Sequence, residues 1–88
     1  MTENVDVVGK AKELLSGVLE QMGIEAEVNA TEEEDRILLD ISSEETDRII
    51  GRRGQTIDAL QHIVGKMLSR FREERGKPVS VDTDGYRG

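Results

Sequence analysis

Apolar residues recur at steps of three and four from Val7 to Met22: Val7, Val8, Ala11, Leu14, Leu15, Val18, Leu19 and Met22. That spacing lays one apolar face along a helix over residues 6–22. Gly23 follows as its C-cap. Gly9 and Gly17 either weaken this helix or permit close packing. The period then changes: Ile24, Ala26, Val28 and Ala30 alternate with Glu25, Glu27 and Asn29, which predicts a strand with one buried face. Thr31 to Asp35 reads as an acidic turn. Arg36 to Ile41 is a second strand with Ile37, Leu39 and Ile41 inward. Leu38 is apolar too, which places this strand centrally in a sheet.

Ser42 and Glu45 have capping-box spacing, so a short helix is expected to start near Ser43 or Glu44. It ends at a turn over Gly51–Gly54. A long helix then runs from Gln55 to Arg72, with the stripe Ile57, Leu60, Ile63, Val64, Met67, Leu68 and Phe71. Phe71 lies on that stripe and is expected in the core. Gly76 and Lys77-Pro78 break the helix. Val79 and Val81 alternate with Ser80 and Asp82 in a last strand, and Pro78 at its start is tolerated there or on an edge. The order is helix, strand, strand, helix, helix, strand. A short turn makes the first two strands antiparallel. The long helical connection makes the third parallel to the second, by a right-handed crossover. The expected fold is α+β: a three-stranded mixed sheet with three helices packed on one face.

Eighty-eight residues make one domain, and one small enough that most apolar residues must serve the core. There is no cysteine, which excludes disulfides and thiolate metal sites and fits a reducing compartment. No apolar run approaches the roughly 20 residues of a membrane span, and the acidic start does not resemble a signal peptide. A cytoplasmic location is expected. The net charge of −7 is unevenly spread. Residues 1–50 carry 14 acids and 4 bases, residues 51–88 carry 5 acids and 8 bases, and the sign changes at Gly51. An acidic half that keeps the protein soluble and a basic half that meets a polyanion are compatible.

The candidate chemistry sits at that change of sign, in Ile49-Ile50-Gly51-Arg52-Arg53-Gly54-Gln55-Thr56-Ile57. Two glycines let a ligand's oxygens approach the main chain. The amides opening the next helix carry its positive dipole end, and two guanidiniums add planar donors. Read alone, the segment is equally a plain helix–helix turn with solvated arginines. It is not a P-loop, because the Gly-Lys-Ser/Thr ending is absent. His62 has no second His or Cys to form a metal site with, and is expected at the surface. The acids from Glu32 to Asp35 read as a solvated loop. No nucleophile–base pairing is evident, so no enzyme, no cofactor, no metal and no small-molecule substrate are expected.

The same segment is similar to the KH-domain signature Ile-Gly-x-x-Gly-x-x-Ile, and the element order resembles the type II form of that fold. The run from Gly51 to Leu68 resembles the KH domain of the Jag/KhpB (SpoIIIJ-associated) family of bacterial RNA-binding proteins. Asp82-Thr83-Asp84-Gly85-Tyr86-Arg87 resembles the segment leaving that domain. The resemblance implies a KH domain over 6–83, after a disordered 1–5 and before an exit segment, 84–88. Family members usually carry a second nucleic-acid-binding domain beyond that exit, so the chain reads as a fragment of a longer protein or as a single-domain relative, with the fragment favoured.

The resemblance also implies single-stranded RNA as partner, held as about four nucleotides. Gly51 and Gly54 would admit the phosphates, and Arg52, Arg53 and Gln55 would serve the same loop. Ile50, Ile57 and Leu60 would line an aliphatic groove. Main-chain groups near Ser80 to Asp82 would read base edges, and residues 73–77 would form the far rim. Lys66, Arg70, Arg72, Arg75 and Lys77 would extend the positive surface. With only Phe71 and Tyr86 aromatic, base stacking on a sheet is excluded, and isolated affinity should be weak and salt-sensitive. A partner KH protein or a homodimer would raise it. The family context implies RNA chaperoning or post-transcriptional regulation, tied to cell division or envelope growth. The alternative is a KH-fold interaction module that dimerises, with RNA contacts elsewhere in a full-length protein.

Overall fold

The computed structural model describes residues 7–71, 76–83 and Tyr86. The N-terminal residues 1–5, residues 72–75 with Arg72 and Arg75, and most of the exit segment 84–88 lie outside the described residues. The elements run α1 (Val7–Gln21), β1 (Glu27–Glu32), β2 (Ile37–Ser42), α2 (Thr46–Ile50), a 3-10 turn (Arg52–Gly54), α3 (Gln55–Ser69) and β3 (Val79–Thr83). β1 and β2 are antiparallel, with Val28 opposite Ile41. β2 and β3 are parallel, with Leu39 opposite Val81. The sheet order β1-β2-β3 puts β2 in the centre, as its continuous apolar run predicts.

The strand alternation sends Val28, Ile37, Leu39, Ile41, Val79 and Val81 into the core. Ala11, Leu15 and Leu19 of α1 and Ile57, Leu60, Val64 and Leu68 of α3 meet them there. α1 packs on β1 and α3, and α3 packs on β3. The helices thus cover one face of the sheet. The other face presents Glu27, Asp40 and Asp82, with Asp40 and Asp82 side by side across the strand pair. Two neighbouring carboxylates make that face repel polyanions. Thr83 is the one buried polar residue among those described, and its hydroxyl donates to the Ile41 carbonyl at 2.9 Å. Gly17 has open space around it, so it weakens α1 rather than permitting close packing.

Several sequence expectations are corrected. α3 stops at Ser69, not Arg72. The Ser69 hydroxyl donates to the Lys66 carbonyl, while the Arg70 and Phe71 amides fold back on Met67 and Leu68. These bonds take up carbonyls that a further turn would need. Phe71 is therefore past the helix and not in the core. It is 46% exposed, and Lys10 Nζ lies 4.4 Å from its ring centroid. Ile63 is also exposed, because at 3.6 residues per turn it falls well off the line of Ile57, Leu60, Val64 and Leu68. Met22 lies in the turn after α1 and is exposed, whereas Ile24 is buried ahead of β1 and Ala26 is exposed.

The capping box does not form either. α2 begins at Thr46 without a side-chain cap. Instead, the Ser43 hydroxyl donates to the Glu25 carbonyl and accepts from the Glu45 amide. The Glu45 carboxylate accepts from the Glu25 amide at 3.2 Å and pairs with Arg48 at 2.7 Å. Arg48 in turn donates to the Met22 carbonyl. A tertiary partner on the α1–β1 loop has drawn the Glu45 side chain away from the box expected with Ser42. These bonds fix α2 on the α1–β1 loop.

Candidate nucleic-acid interface

Gly51 ends α2 at φ 73°, with its amide donating to the Asp47 carbonyl. A Cβ there would collide with the Thr56 side chain and come within 3.0 Å of the Thr56 amide nitrogen. The loop can fold back onto the start of α3 only with glycine at this position. Arg53 adopts φ 57°, ψ 28°, a left-handed conformation that is uncommon for a residue with a side chain. Gly54 follows at φ 79° and caps α3 without any side-chain acceptor. The Gln55 amide closes the turn on the Arg52 carbonyl. The loop therefore delivers the half-buried Gly51 backbone and the positive end of a 15-residue helix to the same spot, while Gly54 itself is buried beneath Tyr86.

Arg52 and Arg53 are exposed at the tip, and neither takes part in an ion pair among the described residues. The contrast is with Lys10, Arg36, Arg48 and Lys77, each paired with a glutamate. The hydrogen bond to Glu33 pushes the Arg36 pKa further up and keeps that cation engaged. Lys77 reaches across to Glu32 and the Glu33 carbonyl, so it ties β3's approach to the β1–β2 turn and does not extend the loop's positive surface. Lys66 and Arg70 are exposed on α3.

Of the three expected groove residues, Ile50 keeps part of its surface, while Ile57 and Leu60 are inside the core beneath the loop. Open space lies one step farther along. A cleft of about 570 Å³ runs between α3 and the start of β3, bounded by Asp58, Gln61, His62, Lys66, Pro78 and Val79. It begins one helical turn past Gly54. His62 is exposed at its rim.

The edge of β3 on this side is not bare. The Ile37 amide donates to the Pro78 carbonyl. With the parallel register, this turns the Ser80 and Asp82 backbone toward β2 and the Val79 and Val81 backbone outward. The Val81 amide donates to Gln61 Oε1 at 2.9 Å. Gln61 carried no signal in the sequence beyond being polar beside an apolar stripe. Tyr86 was legible only as part of the exit segment, yet its hydroxyl lies over Gly54.

Known proteins resemble this chain along most of its length. A family model described as KhpA/KhpB, KH domain matches residues 10–82. The chain is 30% identical to the RNA-binding protein KhpB of Bacillus subtilis (strain 168) over 87 residues, covering 99% of the chain and 41% of that protein. It is 33% identical to the RNA-binding protein KhpB of Clostridium symbiosum over 82 residues, covering 89% of the chain and 36% of that protein. The chain thus spans less than half the length of either relative. It belongs to the KhpA/KhpB KH-domain family.

Proposed function

We propose, on the premise of that membership, that this KH domain binds single-stranded RNA through the Gly51–Gly54 loop. The observation that carries the reading is the pair of exposed arginines, without an ion pair among the described residues, on a left-handed turn at the start of α3. Phosphates would meet the Gly51 backbone and the helix dipole, with Arg52, Arg53 and Gln55 around them, and Gly54, buried beneath Tyr86, would serve by its left-handed turn. Ile50 would touch the first base, and Ile57 would act from below by holding the loop in place. The acidic sheet face directs a polyanion to this side of the molecule. RNA binding is also what the printed names of the two KhpB relatives state of those proteins.

In a longer protein, such a grip would serve RNA chaperoning or post-transcriptional regulation. The tie to cell division or envelope growth rests on the family alone. Fluorescence anisotropy with a short mixed-sequence single-stranded RNA tests the reading. The Arg52→Asp/Arg53→Asp variant should lose binding and keep the wild-type melting temperature. Unchanged binding would place the site elsewhere.

A second reading, an interaction module that pairs with another KH protein or a second copy, is favoured by one feature. Leu14, Met67 and Phe71 form an apolar depression on the α1–α3 side, and Phe71 is exposed. Its mark would be an oligomer that survives the Asp substitutions.

A further inference from the structure

Gly54 is buried, and the side chain over it is Tyr86. A phosphate drawn to this loop therefore meets the phenol where it would otherwise meet Gly54. The hydroxyl leads: a Cβ built on Gly54 would lie 2.7 Å from Oη and 3.5 Å from Cε2 and Cζ, so the tip of the side chain faces the loop and the ring lies behind it. The end of β3 holds the phenol there. The Tyr86 amide donates to the Thr83 carbonyl at 2.9 Å, and Thr83 is itself buried with its hydroxyl on the Ile41 carbonyl of β2. Tyr86 remains 47% exposed, and its hydroxyl makes no hydrogen bond among the described residues. It is a placed donor beside two exposed guanidiniums, those of Arg52 and Arg53.

We propose that Tyr86 is an RNA-contacting residue whose hydroxyl donates a hydrogen bond to the phosphate held at the Gly51–Gly54 loop. This rests on the RNA-binding reading and deepens it, by adding to the site a residue from the far end of the chain. A phosphate offers only acceptors, and a phenol O–H is a neutral donor that suits them. Arg52 and Arg53 supply charge, but each is a long side chain that loses much rotamer freedom when it is fixed. Tyrosine has two side-chain torsions and is fixed at lower cost. The arginines draw the backbone in, and the phenol registers one phosphate against the start of α3.

The test measures anisotropy of a short mixed-sequence single-stranded RNA with wild type, Tyr86→Phe and Tyr86→Ala. Tyr86→Phe keeps the ring over Gly54 and removes only the donor, so its melting temperature should match wild type. Its affinity should fall about tenfold or more, the scale of one hydrogen bond to a charged acceptor. The slope of log K against log salt should not change, because no cation is lost and no counterion release with it. Tyr86 is the only tyrosine of the chain, so protein labelled with meta-fluorotyrosine gives a single fluorine NMR signal, which should shift when the RNA is added. Wild-type affinity in Tyr86→Phe overturns the role given to the hydroxyl, and so does a fluorine signal that RNA leaves unmoved. A loss confined to Tyr86→Ala would move the contact to the ring, and tighter binding by Tyr86→Ala would make the side chain a cover that RNA displaces; either result overturns the proposal. If Arg52→Asp/Arg53→Asp abolishes binding in those cases, RNA binding at the loop stands and only Tyr86 falls. If wild type binds no RNA, or the Asp variant binds as wild type does, both fall.

Discussion

The Tyr86 hydroxyl lies so close over Gly54 that a Cβ added there would sit 2.7 Å from Oη. Tyr86 therefore covers the loop that opens α3. Gly54→Ala should destabilise by about 1–2 kcal/mol, chiefly through its left-handed φ of 79°. Tyr86 is the far end of a flexible side chain and can move. Gly54→Ala in a Tyr86→Ala background should thus recover only a minor part of the loss, measured by urea denaturation. Full recovery would assign the cost to the ring and not to the backbone. Gly51→Ala should cost more, since the obstruction there includes the Thr56 backbone.

Arg53 combines strain with charge. Arg53→Gly relieves a left-handed residue, worth about 1 kcal/mol, and adds chain entropy to the unfolded state of about 0.5–1 kcal/mol. Stability should be nearly unchanged. RNA affinity should fall, and the slope of log K against log salt should shrink by about 0.7, as expected for one lost phosphate contact on a single strand. An unchanged slope would remove Arg53 from the phosphate contacts.

Thr83 is buried, and its hydroxyl donates to the Ile41 carbonyl across the parallel strand pair. Thr83→Val conserves shape and removes that bond, so it should cost about 1 kcal/mol. Thr83→Ser, which retains the hydroxyl, should keep the bond but lose a buried methyl. Equal denaturation midpoints for Thr83→Val and wild type would show that the bond is energetically silent.

Glu45 carries a pH signature. The hydrogen bond from Arg48, and after it the Glu25 amide, hold its carboxyl below the ordinary value of 4.5. A lowered carboxyl pKa in the folded state contributes stability above the ordinary value, and this is lost as pH falls through the lowered one. The melting temperature should therefore drop on acidification below about pH 4.5, and Glu45→Gln should shallow that drop while leaving the other carboxylates' share. The pair is exposed, so the effect should be small and salt-sensitive. Identical acid profiles for the two proteins would contradict it.

Phe71 and Leu68 separate stripe from core. Leu68→Ala should cost about 2–5 kcal/mol as a cavity at a fully buried site. Phe71→Ser should cost under about 1 kcal/mol, since only one exposed cation–π contact with Lys10 and shallow packing are lost. A larger loss at Phe71 than at Leu68 would reverse the assignment.

The sequence by itself determined the sheet and the loop. Alternation at Val79 and Val81, and at Ile37, Leu39 and Ile41 despite the extra apolar Leu38, favours one way for each strand to face the core, because a one-residue slip would turn Ile37, Leu39, Ile41, Val79 and Val81 outward. The short acidic turn and the long helical connection then dictate antiparallel and parallel pairing. Two glycines about two arginines give the turn, because a Cβ at Gly51 would meet Thr56. Tertiary structure decided what local rules leave open. The box expected of Ser42 and Glu45 did not form, and the Glu45 carboxylate took the Glu25 amide on the α1–β1 loop instead, since a distant amide competes on equal terms with a near one. Phe71 left the core because backbone bonds ended α3 first. Gln61 met Val81, and Tyr86 met Gly54, only once α3 and the end of the chain lay beside the third strand and its loop. Such contacts join residues far apart in sequence, so neither periodicity nor motif spacing encodes them.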